Sequence, residues 1–193
     1  RERDMTAVLY LNNSWEWSGG YGYYLEQAGL GQAPRPNEDG YPAFRNFVAK
    51  YASCEKAHQL FYDYVKFILT RTNRYTKKKY KDDPAIMSWQ IGNEPRAFSK
   101  EQLPAFEKWL GEASKLIRSL DKNHLISIGS EGKFGCEGEL NCWERICADK
   151  NVDYCNIHLW PYNWSWARKD HLQEDLEISC QNTKEYIDEH LEV

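Results

Sequence analysis

The sequence has 193 residues, 41% of them hydrophobic and 28% charged, with a net charge of −4. That is enough chain for one sizeable core and too little for two full domains. Acidic and basic residues are interleaved, which argues against a nucleic-acid partner, and no apolar run approaches the roughly 20 residues of a membrane span.

In chain order, Arg1-Glu2-Arg3-Asp4 lacks the pattern of a signal peptide, so any export signal is expected to have been removed or never to have been here. Met5 to Leu11 is a β-rich run opening into Asn12-Asn13-Ser14-Trp15-Glu16-Trp17 and Gly19-Gly20. This reads as a strand followed by a long loop, which continues through the Gly/Pro-rich stretch Gly29 to Pro42 and is expected to wall a cleft. From Cys54 to Thr72, Ala57, Leu60, Phe61, Tyr64, Val65, Ile68 and Leu69 recur at helical spacing. A basic connector, Arg71 to Lys81, with Lys77-Lys78-Lys79 as a solvated loop, leads to AIMSWQIGNEPR, Ala85 to Arg96. That run is a buried strand delivering Glu94 to its C-terminal end, with Pro95 ending the ladder. Ser99 and Gln102 form a predicted capping box for a helix with the stripe Leu103, Phe106, Leu110, Ala113, Ile117 and Leu120. Leu125 to Gly129 is the next strand, tipped by Ser130-Glu131-Gly132, and a short helix is expected around Trp143 to Ala148. Val152 to Leu159 reads as another strand, ending in His158-Leu159-Trp160-Pro161, and Asp170 to Leu191 as a final helix.

Strands alternating with helices at these spacings signal parallel βα units, and no G-x-G-x-x-G turn favours a dinucleotide-binding sheet. Alternation sharpens the choice. Counting back from Glu94 gives Gly92, Gln90, Ser88 and Ile86, against Met87, Trp89 and Ile91. Counting back from Glu131 gives Gly129, Ser127 and Leu125, and from His158 gives Asn156 and Tyr154. The small and polar faces would line a barrel interior leading to Glu94, Glu131 and His158, and the greasy faces would meet outer helices.

The six cysteines, at 54, 136, 142, 147, 155 and 180, contain no C-x-x-C pair, so no metal site or cofactor is expected. Their even number permits disulfides, but a chain this long needs no staples, and they read rather as reduced, packed thiols, Cys155 among them on the helix-facing side. Aromatic residues make up 15% of the chain, more than a core of this size needs, and flat rings with polar handles suit sugars. The sequons at Asn12 and Asn163 are expected to carry no glycan, because one there would obstruct a cleft.

Glycosidic bonds are cleaved by paired carboxyl groups, one protonating the leaving oxygen and the other attacking or activating water. Glu94, at a strand end in a partly dry pocket, suits the acid. Asn93 offers an amide to a sugar hydroxyl, and Glu131 is the nearest candidate for the second carboxyl. The sequence resembles glycoside hydrolase family 5, in the β-mannanase group, through VLYLNNSWEWSGG (Val8 to Gly20), IMSWQIGNEPR (Ile86 to Arg96), GSEG (Gly129 to Gly132) and HLWPYNW (His158 to Trp164). The resemblance implies an α/β fold, a (β/α)8 TIM barrel, of which residues 1–193 form a partial catalytic domain holding the third to sixth strands.

It also implies a retaining double displacement on internal β-1,4-mannosidic bonds. Glu94 is then the acid/base, Asn93 the hydroxyl-binding partner, Arg96 a leaving-group contact and Trp15 a stacking platform. His158 orders the site near the nucleophile, Trp160 stands where many relatives carry Tyr, and Glu131 binds hydroxyls instead of attacking. The family's nucleophile is a Glu ending the seventh strand, C-terminal to this segment, so the isolated piece is expected to be inactive. The implied substrate is β-mannan or manno-oligosaccharide, and the implied location is secreted, periplasmic or cell-surface. The rival expectations are a non-catalytic carbohydrate-binding fragment or pseudoenzyme gripping mannan through Trp15, Trp160 and Trp164, and a related β-glucanase or exo-mannosidase.

Overall fold

A computed structural model describes residues 4–191. It divides into two compact units, one reaching to Asn156 and one beginning at Ile157. The first holds β1 (Ala7–Tyr10), α1 (Gly20–Ala28), α2 (Pro36–Asp39), α3 (Tyr41–Val48), α4 (Glu55–Thr70), β2 (Ile86–Gln90), α5 (Leu103–Leu120), β3 (Leu125–Ser127) and α6 (Leu140–Cys147). The second holds α7 (Leu176–Leu191). Among the described residues no helix is long and apolar enough to cross a membrane.

The strands form one parallel sheet in the order β1-β2-β3. Parallel neighbours need crossover connections, and α4 and α5 supply them. Both helices face inward as their spacing predicts: Ala57, Phe61, Val65 and Leu69 are buried on α4, and Phe106, Leu110, Ala113 and Ile117 on α5. Tyr21, Tyr51, His58, Phe61 and Trp109 form an aromatic cluster in this core, with the Tyr21 and Tyr51 rings stacked at 3.9 Å. Much of the aromatic excess is therefore core.

Several expectations need correction. The stretch between Asn12 and Pro42 is not one loop: it contains α1 and α2, and α3 begins at Tyr41. The glycine-rich sequence of α1 concealed its helical period. The capping box does not form. Ser99 precedes a 3-10 turn, where its carbonyl accepts from Gln102 N at 3.2 Å, and α5 starts at Leu103 with Pro104 in its first turn. Val152 to Leu159 makes no ladder strand. Its Asp153 N donates to Ile126 O at 2.9 Å, and beyond that point side chains hold it: Asp153 Oδ2 accepts from Ile126 N at 2.7 Å and Asn156 Oδ1 from Gly129 N at 3.0 Å. Side-chain acceptors thus occupy donors that a fourth strand would have used.

The alternation holds in part inside this unit. Tyr154 Oη donates to Ser88 Oγ at 2.9 Å, so two residues assigned to the interior face do meet. Trp89 and Ile91 are fully buried on the other face. Met87 departs from the pattern at 45% exposed, and Val8, Tyr10 and Leu125 are also exposed. Nor are all the thiols reduced: Cys147 is disulfide-bonded to Cys155, with Cα atoms 5.8 Å apart. Alternation aimed Cys155 at the helical layer correctly, and the cysteine it meets there is the last residue of α6.

Candidate active site

The ladder does not stop where the regular strands do. Leu11 N donates to Gln90 O at 2.9 Å, Asn93 N to Asn12 O at 2.8 Å and Ser14 N to Asn93 O at 3.2 Å. On the other side Gly92 N reaches Ile128 O at 3.2 Å and Glu94 N reaches Gly129 O at 2.9 Å. Backbone bonds from both neighbouring chain segments therefore hold the strand up to Glu94, and Pro95 cannot donate the next one. Gly129 is required there. Its φ is +84°, and a Cβ at that position would lie 1.9 Å from Gly92 O.

Glu94 itself has φ +51°, an uncommon conformation for a residue with a side chain. It is 8% exposed. Ser14 Oγ donates to its carbonyl, and the Trp15 indole N–H donates to its Oε2 at 2.7 Å. A donor to a carboxylate in a largely buried site fixes both the rotamer and the charge distribution of that group.

Trp15 is positioned from beneath. Asn13 Oδ1 accepts from Trp15 N at 3.1 Å and from Asn93 Nδ2 at 3.4 Å. Asn12 Oδ1 accepts from Asn13 N at 2.8 Å, and Asn12 Nδ2 donates to the buried Tyr51 hydroxyl at 3.0 Å. The Asn12 amide, 5% exposed and engaged at both ends, is not available to a glycan. The Trp15 ring packs edge-on to Phe98 at 5.4 Å and near-parallel to Phe44 at 6.5 Å, with the Arg96 guanidinium 5.7 Å from its centre. The sequence pointed to Trp15 as a platform; its N–H bond to Glu94 carried no signal in sequence, because it spans 79 positions.

Arg96 does not pair with Glu94. Its guanidinium lies 3.0 Å from Glu131 Oε2, and both side chains are largely buried. Asn93, Glu94, Arg96, Trp15 and Glu131 thus gather around adjoining strand ends. A cleft of about 770 Å³, bordered by Glu16, Tyr23, Glu26, Arg35, Asn37 and Phe44 and lined by none of those five site residues, lies along the Gly29 to Pro42 stretch. Among the described residues no group of three His, Cys, Asp or Glu side chains could hold a metal ion.

The remaining candidates belong to the second unit. His158 and Trp160 make an edge contact at 6.4 Å, and Trp160 is 47% exposed. Trp164 packs into a cluster with Trp166 at 5.0 Å and Tyr186 at 5.2 Å.

The model for GH family 5 beta-mannosidase-like domains matches residues 1–193. The chain belongs to glycoside hydrolase family 5. Its curated relatives include mannan endo-1,4-beta-mannosidase 7 of Arabidopsis thaliana, 28% identical over 97% of this chain and 45% of that protein. Another is mannan endo-1,4-beta-mannosidase 4 of Solanum lycopersicum, 32% identical over 81% of this chain and 39% of that protein. The chain thus spans less than half the length of these relatives. Among solved structures it is similar to a family 5 mannosidase from Rhizomucor miehei, determined as a mutant in complex with mannosyl-fructose. The TM-score is 0.75 at 34% identity, over 86% of this chain and 39% of that one. An endo-1,4-beta-mannanase from the same organism gives a TM-score of 0.69 at 27% identity, over 91% of this chain and 52% of that one. The three-stranded parallel sheet with its crossover helices is accordingly part of a family 5 TIM barrel.

Proposed function

We propose that residues 1–193 form a partial catalytic domain contributing the acid/base side of a retaining β-1,4-mannanase site. The reading rests on one observation: a largely buried carboxyl, Glu94, at the end of a barrel strand, gripped by the Trp15 N–H at 2.7 Å. In the first step the Glu94 carboxylic acid protonates the departing glycosidic oxygen. In the second, its carboxylate takes a proton from the attacking water. Asn93 binds a hydroxyl next to the reacting carbon, and Arg96 orients the leaving-group side.

Glu131, engaged by Arg96 at 3.0 Å, serves as a hydroxyl acceptor, since a carboxylate neutralised in a buried ion pair is a poor nucleophile. The nucleophile is assigned to a glutamate at the end of the family's seventh strand, outside residues 1–193. His158, Trp160 and Trp164 supply sugar contacts. The substrate is an extracellular β-mannan, which places the enzyme outside the cytoplasm. A second reading, a non-hydrolytic grip on mannan, draws on the exposure of the Trp160 ring.

Release of reducing ends from β-mannan by the complete gene product tests the proposal. Glu94→Gln is expected to lower turnover by about 10²–10⁴-fold, the usual worth of a general acid, and residues 1–193 alone are expected to release none. Full turnover in Glu94→Gln, with loss in Glu131→Gln, would refute the assignment. Binding of manno-oligosaccharide by a complete product that never cleaves it would favour the second reading. Release of mannose alone, or cleavage of glucan in place of mannan, would replace the endo-mannanase assignment.

A further inference from the structure

We infer that Asn13 is a positioning residue for catalysis, whose single amide oxygen, seated between Trp15 and Asn93, sets the indole donor to Glu94 and the hydroxyl-binding amide as one unit. The inference rests on the mannanase reading of the site and adds to it a residue that is 3% exposed and acts through its neighbours.

Just past β1 stand three buried polar residues, Asn12, Asn13 and Ser14. Buried polar side chains persist because they find partners, and here the partners divide by residue. Asn12 holds the Tyr51 hydroxyl, and Ser14 holds the Glu94 carbonyl. The Asn13 side chain works where the two strand extensions lie side by side, since Asn13 and Asn93 form a parallel bridge. Its Oδ1 accepts from Trp15 N at 3.1 Å, closing an Asx turn, and from Asn93 Nδ2 at 3.4 Å. The bond to Asn93 is the longer, so its contribution is the smaller.

Asn13 is itself fixed. Its N donates to Asn12 Oδ1 at 2.8 Å, and its carbonyl accepts from Tyr21 N at 2.8 Å. Tyr21 lies in the first turn of α1 with its ring stacked on Tyr51, which ties that carbonyl to the aromatic core. Gly20 has φ +42°, and a Cβ there would stand 1.9 Å from Trp15 O and 3.2 Å from Asn13 O. The start of α1 is thus pressed against the Asn13–Trp15 turn and blocks movement of the Trp15 backbone on that side.

From this base the geometry runs outward along two arms. Trp15 carries its indole N–H to Glu94 Oε2 at 2.7 Å, and Asn93 immediately precedes Glu94. The arms serve the reaction differently. Proton delivery through Glu94 matters in proportion to the basicity of the leaving group, whereas a hydroxyl contact through Asn93 helps any leaving group.

The test is kcat/KM of the complete enzyme on β-mannan and on a dinitrophenyl β-mannobioside, whose phenolate departs without a proton. Hydrogen exchange of the Trp15 indole N–H in the same product, assigned by its absence in Trp15→Phe, is read by NMR. Asn13→Ala is expected to lose about 10²-fold on mannan, the scale of a misplaced group, about 10-fold on the activated substrate, and the indole protection. Trp15→Phe is expected to lose far more on mannan than on the activated substrate. In that background Asn13→Ala should cost only about 10-fold on mannan, because the acid/base arm is already gone. Asn13→Asp, which keeps an acceptor at the same place, is expected to recover the indole protection and most of the activated-substrate rate, which a general loosening of the fold would not. Additive losses in the double variant, no loss on the activated substrate in Asn13→Ala, or Asn13→Asp matching Asn13→Ala would each overturn the coupling. A complete product that cleaves no mannoside would overturn the mannanase reading alone, and the indole exchange would then decide whether Asn13 sets the donor.

Discussion

Asp121 sits between α5 and β3 and is 1% exposed. It accepts four hydrogen bonds: from Trp89 Nε1 at 2.8 Å and His124 Nδ1 at 2.7 Å on Oδ2, and from Asn123 N at 2.8 Å and His124 N at 3.1 Å on Oδ1. Trp89 belongs to the strand that ends in Glu94, so this carboxylate anchors β2 to the start of β3 beneath the candidate site. Asp121→Ala strands the fully buried Trp89 N–H and leaves the His124 ring with one fixed partner, the Asp83 carbonyl at 3.0 Å. A buried donor left unpaired costs about 1–3 kcal/mol. Because the four bonds share one group they do not add, and a loss at the upper end of that range, about 3 kcal/mol, is expected. Asp121→Asn keeps one acceptor for the two backbone donors and is expected to lose about 1–3 kcal/mol.

The pH dependence has a definite sign. Burial pushes the Asp121 carboxyl up, but the bonds from Trp89, Asn123 and His124 outweigh it and hold the pKa below the usual value. A depressed folded pKa stabilises the fold above the unfolded value of about 3.9, and that contribution is lost as pH falls through the lowered folded value. Urea unfolding followed by tryptophan fluorescence, at pH 7 and in steps below pH 4, measures both effects. A change below about 0.5 kcal/mol in Asp121→Ala, or wild-type and Asp121→Asn profiles that fall in parallel below pH 4, would refute the anchor.

Three further outcomes are expected. Trp15→Phe keeps the ring packing and deletes the donor to Glu94; since a hydrogen bond to a charged group contributes about 1.5–3 kcal/mol, kcat of the complete enzyme should fall about 10–100-fold with little change in KM. Equal activity would mean the bond has no part in catalysis. Gly129→Ala combines a positive φ with a backbone clash, costing about 1–2 kcal/mol for the first and 1–3 for the second, and should show as a lower urea midpoint. In the second unit, the Arg168 fork on Asp175 holds that carboxyl down to about 2. The turn it closes is therefore stabilised above the unfolded value of about 3.9, and its amides should lose exchange protection as pH falls from there toward 2, a trend that Arg168→Gln should abolish.

The sequence was most legible where one physical rule governs a run of residues. The apolar stripes of α4 and α5 follow from burial on one face, which local spacing records. The helices α1 and α3 were not legible, because Gly20, Gly22 and Pro42 blur the period and tertiary packing around Phe44 and Val48 supplies what propensity lacks. The expected strand at Val152 to Leu159 failed for a related reason. Its β-rich composition is real, yet Asp153 and Asn156 take the edge donors of the neighbouring segment through their side chains, and no alternation rule anticipates that exchange.

Glu94 at a strand end, followed by a proline that stops the ladder, was determined by sequence alone, because chain direction and hydrogen-bonding capacity are local properties. What surrounds Glu94 was decided by the fold. The Trp15 donor, the Tyr51–Asn12 support and the Arg96–Glu131 pair join residues 79, 39 and 35 positions apart. Such contacts exist only once parallel strands have set their register, since each depends on the Cβ directions and backbone spacing of two segments at once.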